Sequence, residues 1–291
     1  MIERTTAICL SVYNGGLFLR EQLDSILQHD ETPIKLIIRD DGSGDISFKI
    51  LNQYKERYED KIELASNSSG NIGCQQSFMS LIWKSTQDYI MLSDQDDVWK
   101  PDKISMTIKK MSEMEIEHGS ETPLLVFTDL TVTDIRLDIL DKSFWHFQKI
   151  DPTICYNWKK LLAQNVVTGC TIMINKAAKR VIFPFALDSM LHDHWIAVNI
   201  AKHGYVDFIN DQTVFYRQHS HNLDGAKKYG PLYAFKKIVK IYKNALFYWR
   251  AMNYFGNVSM VELFYYKATT NIKRLIDIDK ISTLHRRRRR Y

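Results

Sequence analysis

The chain has 291 residues, 45% of them apolar and 25% charged, enough for one large domain or one domain with a small appendage. The longest early apolar run, Ala7 to Val12, is too short for the apolar region of a signal peptide, and no run reaches membrane-spanning length, so the expectation is a cytoplasmic protein. Cys9, Cys74, Cys155 and Cys170 are scattered without a CxxC spacing, which argues against a zinc site or a disulfide framework. The net charge is +5, and the basic residues gather from Lys227 onward, ending in the run Arg286 to Arg290. No nucleic-acid-binding signature accompanies that run, so a solvated or lipid-touching tail is the expectation and nucleic acid is not an expected partner.

In chain order, Ala7–Val12 reads as a strand buried on both faces. Residues 17–27 carry apolar side chains at Leu19, Leu23, Ile26 and Leu27, a helical face. Lys35–Ile38 is a second strand, cut off by Asp40-Asp41-Gly42-Ser43-Gly44, and Ile46–Tyr58 is again helical by period. Ile62–Ala65 is a short strand, Phe78–Trp83 belongs to a third helix, and Tyr89–Leu92 is a strand running into Asp94-Gln95-Asp96-Asp97. Leu124–Phe127 and Thr171–Ile174 read as strands, with an aromatic stretch from Phe144 to Trp158 between them. From Pro231 the pattern is helical, with a stripe at Leu232, Phe235, Val239, Tyr242, Leu246 and Trp249 flanked by lysines. Alternating strands and helices predict an α/β fold with a mostly parallel central sheet, right-handed crossovers and a C-terminal helical extension.

Ligands in such sheets bind beyond the carboxyl ends of the strands. Tyr13-Asn14, Asp40-Asp41 and Asp94–Asp97 all fall there, so one cleft can collect them. Three carboxylates within Asp94–Asp97 repel one another unless a cation offsets them, and a hard divalent cation prefers such oxygens. A solvated acidic turn capping a helix near Pro101 explains the tetrapeptide equally well. Asp40, Asp41 and Ser43 suit helix capping. Asn71-Ile72-Gly73 precedes a helix, where backbone N–H groups can take an anion or simply form a loop. His192, His194 and His221 are better read as structural than as ligands, and Arg217 pairs equally well with a diphosphate or a neighbouring acid.

The ordered set Ser11-Val12-Tyr13-Asn14-Gly15, Asp40-Asp41-Gly42-Ser43, Asn71-Ile72-Gly73 and Ser93-Asp94-Gln95-Asp96-Asp97-Val98-Trp99 resembles the family 2 glycosyltransferases. With Leu191-His192-Asp193-His194-Trp195 and Tyr216-Arg217-Gln218-His219 downstream, it is similar to the rhamnosyltransferase-like branch, over residues 5 to 225. The resemblance implies a GT-A domain over 1–225, with a nucleotide-sugar-binding half (1–100) and an acceptor-binding half (101–225), followed by a basic, aromatic extension over 226–291. It implies that Tyr13, Asn14, Asp40, Asp41, Asn71, Gly73, Asp94 and Gln95 line the nucleotide-sugar site. By the same resemblance Asp96 and His219 serve a Mg2+ or Mn2+ ion, and Asp193 is the base that deprotonates the acceptor. Trp195 offers a face to a sugar ring, and Arg217 touches acceptor or diphosphate. Asp193 follows His192, where many relatives have Glu-Asp, so help from a preceding carboxylate is missing.

The implied activity is inverting transfer of a sugar to a hydroxyl of a glycan or lipid-linked oligosaccharide in cell-surface polysaccharide synthesis. The donor is dTDP-rhamnose or, alternatively, a UDP-hexose. A sugar nucleotidyltransferase is disfavoured because residues 11–16 hold no basic side chain. A binding module without catalysis is disfavoured because it has no use for a base at Asp193. The C-terminal stripe predicts either packing on the catalytic domain or peripheral contact with the inner face of the cell membrane.

Overall fold

The computed structural model describes residues 4–28, 33–66, 70–187, 190–220, 222 and 245–276. His221, the stripe positions Leu232, Phe235, Val239 and Tyr242, and the arginine tail lie outside the described residues.

The first half follows the apolar pattern closely. Strands β1 (Thr6–Val12), β2 (Ile34–Asp40), β3 (Ile62–Leu64) and β4 (Tyr89–Ser93) alternate with helices α1 (Leu19–Leu27), α2 (Ser47–Arg57) and α3 (Cys74–Lys84). The short strand β5 (Val98–Trp99) then leads into α4 (Lys103–His118). In the second half come β6 (Leu124–Thr133), β7 (Ile139–Asp141), α5 (Phe144–Gln148), α6 (Trp158–Ala163), β8 (Met173–Asn175) and α7 (Lys179–Ile182). They are followed by α8 (His192–His203), β9 (Tyr205–Arg217), α9 (Ala245–Phe255) and α10 (Met260–Ile276).

The strands form one sheet in the order β3-β2-β1-β4-β8-β6-β9-β5, with β7 on β6. β1 pairs in parallel with both β2 and β4, with Val12 opposite Asp40 and Leu10 opposite Ser93. The polar residues that end these three strands therefore lie side by side at one edge. β8 runs antiparallel to β4 and β6, and β5 antiparallel to β9. Each face carries its own core. Ile8, Leu10, Leu36 and Ile38 pack with α1, α2 and α4. Ala7, Cys9, Ile90 and Leu92 pack with α3, α6 and α8, and Tyr248, Ala251, Phe255 and Leu263 of the two C-terminal helices join that same core.

Two strands exceed what periodicity shows. The apolar run of β6 stops at Phe127, yet Thr128, Asp129, Thr131 and Thr133 continue it as buried residues. Burial is tolerated because Asp129 accepts hydrogen bonds from Leu130 N (2.8 Å), Trp145 N (3.1 Å), Ser143 Oγ (2.5 Å) and Gln212 Nε2 (3.0 Å). In β9 the polar stretch Asn210-Asp211-Gln212 hides the strand. Its register jumps from Thr128 opposite Ile209 to Asp129 opposite Gln212, and the irregularity takes up the extra polar residues.

Candidate active site

The three strand-end clusters are joined by direct hydrogen bonds. Tyr13 N donates to Gln95 Oε1 at 2.8 Å, and Gln95 Nε2 donates back to the Tyr13 carbonyl at 3.0 Å. A β-carbon at position 15 would lie 2.3 Å from Gln95 Oε1, so Gly15 is what lets the β4 loop close over β1. Asn14, at a positive φ of 50°, takes its N–H to Ser43 Oγ (2.9 Å) and accepts from Gly44 N (2.8 Å). Asp40 Oδ1 accepts from Ser43 N and Oγ, at 3.2 and 2.5 Å. The Tyr13 ring is half-exposed above this floor.

Asp41 turns the other way. Its buried carboxylate pairs with Arg39 at 3.1 Å and accepts from Ile72 N (2.9 Å) and Gly73 N (2.8 Å). The expectation that Asp41 lines a ligand pocket is thus corrected: it is an internal anion. The same contact corrects the reading of Asn71-Ile72-Gly73 as a ligand's anion cradle. Gly73 N–H points at Asp41, and also at Asn71 Oδ1 (3.1 Å), because an internal carboxylate already fills that place. The capping readings fall too. The first N–H of α2, that of Ser47, goes to Asp45 Oδ1 (2.9 Å) rather than to Asp40, Asp41 or Ser43, and β5 separates Asp94–Asp97 from α4.

In the acidic turn between β4 and β5 three carboxylates are raised together. Burial lifts Asp94 to about 7, and the neighbouring charges of Asp96 and Asp193 add to the rise. Burial raises Asp97 well above the carboxylate range, with Asp96 and Asp94 adding, and its Oδ2 is buried with no hydrogen-bond partner among the described residues. Burial also raises Asp96, while the hydrogen bond from His219 pulls it back. Cys74, first residue of α3, sits amid these carboxylates. Burial raises its thiol to about 12, and Asp94, Asp193, Asp41 and Asp96 all push the same way. Asp193, from the first turn of α8, therefore shares one electrostatic neighbourhood with the Asp94–Asp96 turn.

Asp96 Oδ2 lies 2.8 Å from His219 Nε2 and accepts from Asn222 Nδ2 at 3.3 Å. The Asp96–His219 contact has the length of an ordinary hydrogen bond, so a cation held by both residues would take the place of the proton between them. Asp94, Asp97 and Cys170 also bring ligand-type atoms within 4.8 Å of one another. Burial keeps the Cys170 thiol protonated far above neutral pH, with the charges of Asp97 and Asp94 adding to the rise. The oxygens of the cluster, rather than its sulfur, suit a hard cation.

Two expected contacts are corrected. Trp195 is fully buried among Phe185, Tyr254 and Phe255, with its indole N–H on the Ile182 carbonyl (2.8 Å), and has no face to offer a sugar. Helical geometry turns it inward, two residues beyond Asp193. Arg217 is also inside. Its guanidinium binds the Asp96 carbonyl (2.9 Å), the Ile135 carbonyl (2.7 Å) and the Glu21 carboxylate, and lies 4.7 Å over the Phe18 ring. Its own N–H donates to Asp97 Oδ1 (3.2 Å). Arg217 ties down the acidic turn rather than reaching for a diphosphate.

Several residues escape sequence reasoning. Phe18 stacks on His219 at 4.7 Å. Lys103 is fully buried, 3.4 Å from Thr213 Oγ1 and 4.7 Å over Trp99. Burial lowers it to about 8, against the opposing pull of Cys170 and Asp97. One signal was available for Lys103: a cation in the first turn of a helix opposes the helix dipole and needs another reason to be there.

Beside the acidic turn, Asp193 opens on a cavity of about 370 Å³ walled by Cys74, Gln148, Gln164, Val166, Tyr248 and Lys267 among others. His192 and His194 sit at its edge as structural residues. His194 Nε2 meets the Leu161 carbonyl (2.9 Å), His192 stacks on Phe78 at 4.4 Å, and burial lowers each to about 4.

Residues 7–182 match the family model described as Glycosyl transferase family 2. The chain belongs to that family. It is 27% identical over 228 residues to the dTDP-rhamnosyl transferase RfbG of Shigella flexneri, covering 75% of this chain and 74% of that protein. It is 28% identical over 131 residues to the putative glycosyltransferase EpsE of Bacillus subtilis, covering 45% and 47%. Among solved structures, S. aureus TarS 1-349 matches at a TM-score of 0.57 and 13% identity, over 93% of this chain and 71% of that one. The mannosyltransferase PcManGT from Pyrobaculum calidifontis, in complex with GDP-Man and Mn2+, matches at 0.53 and 18%, over 77% and 58%. These structures establish the GT-A fold. The protein is therefore a family 2 glycosyltransferase, and sugar transfer is its activity. No helix among the described residues is long and apolar enough to cross a membrane.

Proposed function

We propose that the enzyme transfers rhamnose, with inversion, from dTDP-rhamnose to a hydroxyl of a glycan or lipid-linked oligosaccharide in cell-surface polysaccharide synthesis. The observation that carries this reading is the mutual electrostatic effect of Asp94, Asp96 and Asp193, the last of which lines a cavity of about 370 Å³. The rhamnose assignment rests on the similarity to the Shigella flexneri dTDP-rhamnosyl transferase, and a UDP-hexose is the second donor class.

In this reading the nucleoside lies over β1 and β2, between Tyr13 and Asp40, with Asn14 and Gln95 shaping the loop beneath it. Asp94, Asp96 and His219 hold a Mg2+ or Mn2+ ion, which when bound offsets the charge of the departing diphosphate. Arg217 and Asn222 keep the Asp96 turn in register. An acceptor hydroxyl entering the Asp193 cavity gives its proton to that carboxylate as it attacks the anomeric carbon from the face opposite the diphosphate, a base contribution of about 10²–10⁴-fold. Lys103 supplies a fixed positive charge behind Asp97, which limits repulsion within the turn.

The enzyme works at the cytoplasmic face of the cell membrane. Leu246 and Trp249 on α9 and Val261, Phe264 and Tyr265 on α10 are exposed, while Tyr248, Ala251 and Phe255 of α9 and Leu263 of α10 are in the core. An outward apolar face on helices anchored from within suits an interfacial position. A donor screen that measures released nucleotide, with and without divalent cation, tests the proposal. dTDP-rhamnose should be consumed in preference to UDP-hexoses, and only with the cation; a UDP-hexose preference would replace the donor assignment.

A further inference from the structure

A second cavity, of about 610 Å³, lies between α10 and the segment that joins α5 to α6. It shares Ile150, Gln164 and Val166 with the Asp193 cavity, so the two spaces adjoin along those residues. Its charge is one-sided. Lys149, Lys160, Lys273 and Arg274 line it, and Asp151 is the one acid among the lining residues. Asp151 is already engaged, with Oδ1 accepting from Thr153 N (3.0 Å) and Thr153 Oγ1 (2.6 Å).

None of Lys149, Lys160 or Lys273 has an ion-pair partner among the described residues. Arg274 is held beneath them by bonds from its guanidinium to the Gln148 carbonyl. Gln148 in turn walls the Asp193 cavity, so the cationic pocket and the base are built on one segment. Lys149 ends α5 at φ 51° and ψ 48°, the left-handed region that asparagine or glycine enters more easily. A lysine held there costs on the order of 1 kcal/mol or more, which asks for a reason beyond the turn itself. Gathered cations repel one another and lose that cost when an anion with several acceptor oxygens binds between them.

We propose that this pocket holds a phosphate group of the acceptor, so that the enzyme selects an acceptor saccharide carrying a phosphate close to the sugar that enters the Asp193 cavity. The inference rests on the transfer reading for its orientation: the reacting hydroxyl lies at Asp193, and the phosphate lies across the Ile150–Gln164–Val166 wall. Gln164 lines both spaces, with its Nε2 fixed on the Asn165 carbonyl (3.0 Å). Tyr265 and Tyr266 flank the opening from α10, beside the apolar face assigned above to the membrane. The phosphate has two chemical sources, the diphosphate that links a sugar to a lipid carrier and a phosphate within the glycan itself.

Calorimetry in EDTA without donor tests this, because the diphosphate site then lacks its cation. The probes are neutral octyl glucoside, octyl glucoside 6-phosphate and octyl diphosphoglucose. At least one phosphorylated probe should bind the wild type at least about tenfold tighter than the neutral one. The triple variant Lys149→Gln, Lys160→Gln, Lys273→Gln should bring that preference to within roughly twofold, and the loss should be mimicked by raised salt. Which phosphorylated probe wins identifies the source. Its melting temperature checks that the triple variant, altered only outside the core, remains folded. Equal binding of all three probes by the wild type, or a preference that survives in the triple variant, would overturn the anion site. A phosphate preference that persists while the donor screen releases no nucleotide supports the anion site and counts against the transfer reading, so the two failures are separable.

Discussion

Asp41→Asn separates a structural carboxylate from a ligand-binding one. The native carboxylate neutralises Arg39 at 3.1 Å and takes two backbone N–H groups, with both side chains at or below 5% exposure. An amide can keep one of the N–H bonds through its oxygen, but its NH2 then faces another donor, and the guanidinium is left buried without its anion. Breaking a buried pair from one side costs about 3–5 kcal/mol. In a domain of this size each kcal/mol moves the midpoint by roughly 2–4 °C, so the variant should melt on the order of 10 °C lower. Scanning calorimetry with and without nucleotide diphosphate and Mn2+ reads the effect, and the ligand-induced rise in melting temperature should be retained. Asp40→Asn, which disturbs only the Ser43 contacts, should melt close to wild type. An Asp41→Asn protein with native melting and weakened nucleotide binding would refute the reasoning.

Other outcomes follow from the same geometry. Arg217→Met should lower both stability and Mn2+ affinity, since it frees the Asp96–Asp97 turn; a loss confined to donor affinity, read by titration calorimetry, would return Arg217 to the diphosphate. Burial holds His192 at about 4 in the folded chain against about 6.5 unfolded, so the unfolded state binds more protons between these values. Stability should therefore fall as pH drops from about 6.5 towards 4, by up to roughly 3 kcal/mol for this residue, and His192→Phe should flatten that part of a urea-midpoint profile. Leu246→Ser with Trp249→Ser should weaken sedimentation with anionic vesicles while leaving the melting temperature near native. Unchanged vesicle binding would remove this face as the membrane contact.

The first half of the fold was legible because β1, β2 and β4 are apolar runs that end abruptly in polar clusters, and parallel pairing sets those ends side by side. Asp40, Asp94, Asp96, Asp193 and His219 were legible as an ordered set, and the fold brings Asp96 to His219 and Asp193 into the field of Asp94. Where a side chain points was not legible. Asp40 and Asp41 are adjacent, yet strand alternation sends one towards Ser43 and the other towards Arg39. Trp195 follows Asp193 by two residues, which on a helix turns it to another face. Arg217 was left open between a diphosphate and an acid, and Lys103 was missed, because their partners, Glu21 and Thr213, are far away in sequence. β9 was missed because its polar middle is absorbed by a register shift that only the partner strand reveals.

The account stands most directly on the turnover of Asp193→Asn, measured as nucleotide released with saturating donor, Mn2+ and acceptor. It predicts native donor and Mn2+ binding with transfer reduced by about 10²–10⁴-fold. Turnover within a few-fold of wild type would contradict it, because the hydroxyl's proton would then leave by another route.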